Sequence, residues 1–268
     1  MHLFSKRLLI LIPAALVLIF VFTAAPAPGA DKVLIYFYSA EANINNYKTL
    51  KAEFDSYLAD LGPYEFQPFG DQTVFENRIR QGGRYLLLLS AWHYRNLEQT
   101  LSLEPMLVGL RNGSASQKRI LVSAAAADLG PDPIASAGSL NLTQSILQSM
   151  FPAKTASDFN VLMVPKEIDA LMSLAFESAT YALVTESAKA KLGLLDPMLA
   201  RKLKTLAEGE ESLLPVLAAP GDFKEGARPI VSLVKQMPES DRGMNIMRLL
   251  DLDGWKPVGP SERSKLEG

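Results

Sequence analysis

Four small polar side chains, Ser139, Asn141, Thr143 and Ser145, fall together where a helix is about to begin. A helix start leaves its first N–H groups without partners and carries partial positive charge, so hydroxyls and amides gathered there suit an oxyanion. The same residues also suit plain helix capping by Ser139 or Asn141. Trp92, His93 and Tyr94 follow an apolar run, where aromatic rings can close over a small ligand or a histidine can sit hydrogen-bonded in the core. Tyr36, Tyr38 and Asn43 have the same double reading at the end of the first apolar run. Lys166 and Asp169 straddle a strand-to-helix turn, and Glu186 follows a strand, either as a partner for an amine or as a carboxylate favoured at a helix start.

The chemistry these residues offer is binding. The chain has no cysteine, which removes disulfides, thiolate zinc sites, cysteine nucleophiles and a lipid-modified cysteine anchor. Its two histidines are His2 and His93, too few for a histidine-rich metal site. Gly-rich phosphate loops, nucleophile elbows and metal-ligand spacings are missing, so no cofactor and no enzyme is expected. A formal net charge of -2 gives no basic surface for nucleic acid. The charged stretch Glu208 to Glu211 reads as a solvated loop, and Asp251 and Asp253 as ordinary surface carboxylates.

The elements that must position these residues begin after an export signal. Lys6 and Arg7 precede the apolar run Leu8 to Phe22 and a small-residue stretch ending at Ala30. That is the order of a secretory signal over residues 1–30, with an uncleaved anchor as the alternative. The 268 residues leave ample length for a large core. Strands are expected at 33–38, 64–69 and 85–90, with helices at 47–61, 71–81 and 91–101 between them. Asp71 is a natural N-cap, and Pro68 marks an edge strand. Strands at 105–113 and 119–124 flank a polar loop, and a short strand and a helix fill 134–151. Phe159 to Thr185 reads as one strand–helix–strand unit. Its first strand, Val161 to Val164, is expected to be buried, and its helix to bury Ile168, Leu171, Met172 and Ala175. Helices broken at Pro197 follow, then two return strands at 203–208 and 213–219, and helices at 229–235 and 241–250. Strand–helix alternation of this kind builds doubly wound α/β lobes.

Three stretches carry a resemblance. They are Lys166-Glu167-Ile168-Asp169-Ala170-Leu171 with Ala179 to Thr185, the Phe66–Phe69 and Arg84–Tyr94 segments, and the close Leu250-Asp251-Leu252-Asp253-Gly254-Trp255-Lys256-Pro257. Together they resemble periplasmic substrate-binding proteins of ABC transporters, nearest the phosphate, phosphite and phosphonate group with the type 2 periplasmic binding fold. The resemblance implies two lobes, residues 31–118 with 206–268 and residues 119–205, each a doubly wound sheet flanked by helices. It implies a monomer that traps a small ligand, an oxyanion such as phosphate or a phosphonate, for an ABC permease or another envelope protein. The ligand residues it implies are Tyr38, Trp92, Tyr94, Ser139, Asn141, Thr143 and Lys166. The relatives often carry a histidine near Ile168 and a tighter hydroxyl run, both absent here. The alternative is therefore a degenerate binding-protein-like domain acting as a periplasmic sensor or accessory partner.

Overall fold

The structure is a computed structural model that describes residues 32–41, 47–125 and 128–267. The export signal and Asn43 lie outside the described residues. In chain order the elements are β1 (Val33–Phe37), α1 (Tyr47–Leu58), β2 (Tyr64–Pro68), α2 (Gln72–Arg80), β3 (Tyr85–Leu89), α3 (Ala91–Glu98) and β4 (Leu103–Leu110). There follow β5 (Ser116–Ser123), β6 (Ile134–Ser136), α4 (Leu140–Met150), β7 (Val161–Met163), α5 (Glu167–Ala175) and β8 (Tyr181–Thr185). The chain continues with α6 (Glu186–Leu195), α7 (Pro197–Lys202), β9 (Lys204–Leu213) and β10 (Val216–Pro220). It closes with α8 (Lys224–Lys235), α9 (Asp241–Leu249), β11 (Gly254–Pro257) and α10 (Pro260–Glu267).

Two sheets form. One has six strands in the order β11-β4-β10-β3-β1-β2, the other five in the order β7-β6-β8-β5-β9. Within the first, β2, β1 and β3 run parallel, and β10, β4 and β11 are joined antiparallel. In the second, β6 is parallel to β7 and β8, whereas β5 pairs antiparallel with β8 and β9. The chain leaves the first sheet after β4 and returns to it at β10. The expected return at residue 206 falls inside β9, which belongs whole to the second sheet.

Period-two alternation explains why helices cover both faces of each sheet. In β1, Val33, Ile35 and Phe37 point into one apolar cluster with α1, α8 and α9, while Tyr36 points into another with α2 and α3. In β5, Ile120 and Val122 face α5, α6 and α7, while Leu121 turns to the cluster that includes Leu147 of α4. Asp71 caps α2 by accepting the Val74 N–H at 2.8 Å, as its residue type predicts. β2 is an edge strand that tolerates Pro68.

Three expectations need correction. β7 is not buried: it is the outermost strand of its sheet, and Leu162 and Met163 are exposed. The buried face of α5 is Ala170, Leu171 and Leu174, rotated from the expected set, with Ile168 and Met172 at its margin and Ala175 exposed. Glu208 to Glu211 is not a loop but part of β9, a sheet edge whose charges pair with Lys118 (2.8 Å) and Lys265 (2.6 Å). Charges on an exposed edge discourage pairing with another chain. The last helix, α10, has no counterpart among the expectations, because it buries only Leu266 and shows no apolar stripe.

Two glycines test this packing with opposite signs. A Cβ on Gly243 of α9 would stand 2.0 Å from the Met237 carbonyl oxygen, a backbone atom in the core. Gly243→Ala should therefore cost at least about 2 kcal/mol in chemical denaturation. A Cβ on Gly193 of α6 meets nothing within 4 Å, so Gly193→Ala should stabilise by about 0.5–1 kcal/mol.

Candidate site at the lobe junction

The carboxyl ends of β1 and β3 meet those of β6 and β8 where the two sheets face each other, together with the first turns of α3, α4 and α6. Open α/β sheets bind ligands at such strand ends. Several contacts cross here. Ser139, just before α4, donates its backbone N–H to the Ala40 carbonyl at 2.7 Å. Its hydroxyl accepts the Leu142 N–H at 3.4 Å. The Trp92 indole N–H donates to Ser145 Oγ at 3.2 Å. Leu142 packs into the cluster of Tyr38, Tyr94 and Ala218, so α4 lays an apolar side chain across the junction.

The strongest electrostatic feature is Arg119 of β5, only 6 % exposed. Its guanidinium lies 3.2 Å from Glu167 at the start of α5 and 3.6 Å from Glu41 beyond β1. Glu167 is held on both oxygens: the Thr185 N–H donates at 2.9 Å and the Thr185 hydroxyl at 2.7 Å. Glu41 accepts from the Gln117 amide at 2.9 Å, and Gln117 accepts in turn from Arg111 at 3.1 Å. A buried guanidinium needs such partners, because its desolvation is costly unless charge and hydrogen bonds offset it.

The seven residues named from the sequence separate into three groups. Tyr38, Trp92 and Ser139 come together across the junction. Asn141 and Lys166 are exposed at the starts of α4 and α5. Thr143 and Tyr94 face inward: Thr143 hydrogen-bonds Ser136 Oγ at 2.8 Å, and the Tyr94 hydroxyl donates to the Leu103 carbonyl at 3.2 Å. Burial, then nearby Glu98, pushes the Tyr94 hydroxyl up to about 12. Glu186 is exposed in the first turn of α6. Sequence reasoning missed Glu41, Gln117, Arg119, Glu167 and Thr185. A signal existed for Arg119, an arginine leading straight into the apolar run Ile120-Leu121-Val122 that both faces of a sheet bury.

Beside this network sits His93, fully buried between Tyr38 and Phe75. Its Nε2 bonds Glu76 at 3.1 Å, and its Nδ1 has no hydrogen-bond partner. Burial lowers its affinity for a proton more than Glu76 raises it. Burial also pushes Glu76 up, but hydrogen bonds from Gln72 and His93 outweigh it, so Glu76 stays ionised. The contact is therefore a neutral imidazole N–H donating to a carboxylate.

No family model matches the chain, and no curated protein sequence is similar to it. Solved structures do match. A Xanthomonas citri protein bound to ATP superposes with a TM-score of 0.63 at 14% identity, over 88% of this chain and 94% of its own. A Prochlorococcus marinus protein in complex with methylphosphonate gives 0.62 at 10% identity, over 88% of this chain and 96% of its own. The binding-protein component of an ABC phosphonate transporter from Pseudomonas aeruginosa gives 0.58 at 11% identity, over 87% and 83%. The fold is that of a two-lobed periplasmic binding protein. Identities this low carry the architecture and no ligand. Among the described residues no helix is long and apolar enough to cross a membrane.

His93 is the only histidine in the described residues, so it dominates titration near neutrality. An unfolded histidine takes up a proton near pH 6.5, and His93 resists doing so when folded. The unfolded state therefore binds more protons below that pH, and stability falls as pH drops. Melting of residues 31–268 should lose up to about 1.4 kcal/mol per pH unit below 6.5, and His93→Gln should flatten that slope.

Proposed function

We propose that the protein is an exported two-lobed binding protein that captures a small anion at the lobe junction, with Arg119 as the cation that grips it, and presents it to an ABC permease. The observation that carries this reading is the buried Arg119 guanidinium facing a carboxylate from the opposite lobe. A guanidinium fork matches the oxygens of phosphate, a phosphonate or a carboxylate. Glu41 is the looser of its two partners, at 3.6 Å against 3.2 Å for Glu167. Capture is then an exchange in which the ligand's anionic group takes the place of Glu41. Tyr38, Trp92 and Ser139 line the same seam, and Asn141 and Lys166 supply its polar rim. The phosphonate-related neighbours in the structural comparison support this solute class, and the ATP-bound neighbour widens it to larger phosphates.

One observation favours a second reading. Leu142 of α4 is buried in the apolar cluster of the opposite lobe, and Ile146 packs against it, which closes the seam without a solute. A domain held shut in this way suits a periplasmic sensor or an accessory that meets a protein partner.

Thermal unfolding of residues 31–268 against phosphate, phosphite, methylphosphonate and small amines separates the two readings. A ligand at a hundred times its dissociation constant should add about 2.7 kcal/mol, a rise of roughly 5–10 °C. Glu41→Gln removes the internal competitor, so it should move the midpoint of an anion titration to lower concentration, and Arg119→Lys should raise it. Capture is rejected, and the accessory reading kept, if neither the wild type nor Glu41→Gln responds to any anion.

A further inference from the structure

The end of the second lobe opposite the junction carries a protruding apolar tip. α5 leads into the start of β8 and α6 leaves its end, so both helices finish at the far end of that sheet. There Leu194 (86 % exposed), Leu195 (71 %), Met198 (72 %) and Phe176 (75 %) stand in solvent. Leu194, Leu195 and Met198 follow one another around the α6–α7 corner, where Asp196 turns inward to accept the Met198 and Leu199 N–H groups at 3.1 and 2.9 Å. Large apolar side chains grouped at this exposure mark an interaction site rather than ordinary surface.

We propose that this tip docks on an anionic lipid surface. Arg201 and Lys202 lie three and four residues beyond Met198 and so share its face of α7. Both, with Lys204 at the start of β9, are exposed and form no ion pair among the described residues. Unneutralised cations beside apolar side chains fit a bilayer of acidic lipids, where the cations meet phosphate groups and the apolar groups enter the acyl boundary. The tip is a convex helix corner, and a fluid bilayer accepts a protrusion without offering a shaped pocket. The export signal expected over residues 1–30 would bring the chain to such a surface.

The test is co-sedimentation with sucrose-loaded vesicles of phosphatidylglycerol and phosphatidylcholine in equal parts, and of phosphatidylcholine alone. Residues 31–268 are used, because Leu8–Phe22 would partition by itself and the compact unit from Asp31 onward holds both sheets and every apolar cluster. The proposal expects pelleting with the acidic vesicles only, weakening as salt rises. Leu194→Ser/Leu195→Ser/Met198→Ser should reduce the partition coefficient at least about tenfold. Arg201→Gln/Lys202→Gln should reduce it about thirtyfold. Neither variant should move the melting temperature, since the substituted side chains are exposed. The proposal is overturned by no pelleting with acidic vesicles, by equal pelleting of either variant, or by a dimer in sedimentation equilibrium that the triple serine variant abolishes.

Discussion

The arrangement at the junction depends on one buried positive charge. Arg119 sits in β5, inside a sheet covered on both faces, and is largely withdrawn from bulk water. Leaving such a charge without a partner costs roughly 3–5 kcal/mol. The fold therefore brings carboxylates to it from both sides, Glu167 from its own lobe and Glu41 from the other. The Thr185 backbone and hydroxyl fix Glu167, and the Arg111–Gln117 pair fixes Glu41. Electrostatics at one residue thus ties β1, β5, α5 and β8 into a single junction.

That constraint explains why the site is both polar and closed. The start of α4 carries hydroxyls suited to an anion, yet the Ser139 N–H is already engaged with Ala40 and its hydroxyl with the Leu142 N–H. Leu142 adds an apolar contact between the lobes that needs no ligand. Of the two carboxylates at Arg119, Glu41 is the more distant, at 3.6 Å against 3.2 Å for Glu167.

The architecture was legible in the sequence wherever a local signal was strong. The Asp71 cap, the Pro68 edge strand and the Pro197 helix start all read correctly, because each is set by backbone chemistry within a few residues. Misreadings arose where tertiary context decides. Val161 to Val164 is apolar enough for a central strand but lies at a sheet edge. Glu208 to Glu211 is charged enough for a loop but continues β9. The junction network was nearly illegible, because Glu41, Arg119 and Glu167 lie 78 and 48 residues apart in sequence and meet only through folding. Hydroxyl clustering pointed to the correct helix start, but nothing local distinguished Thr143, which faces Ser136, from Ser139, which faces the opposite lobe.

Glu41 and Arg119 form an ion pair between the two lobes. The natural chain has no cysteine, so single cysteines replacing Gln99 of the first lobe and Gln148 of the second would take spin labels without interference. Pulsed electron–electron resonance then reads the inter-lobe distance directly. One narrow distribution is expected in the ligand-free protein, and it should broaden or lengthen when Glu41→Gln is added. A broad or long distribution in the ligand-free parent, or one that Glu41→Gln leaves untouched, would contradict this expectation.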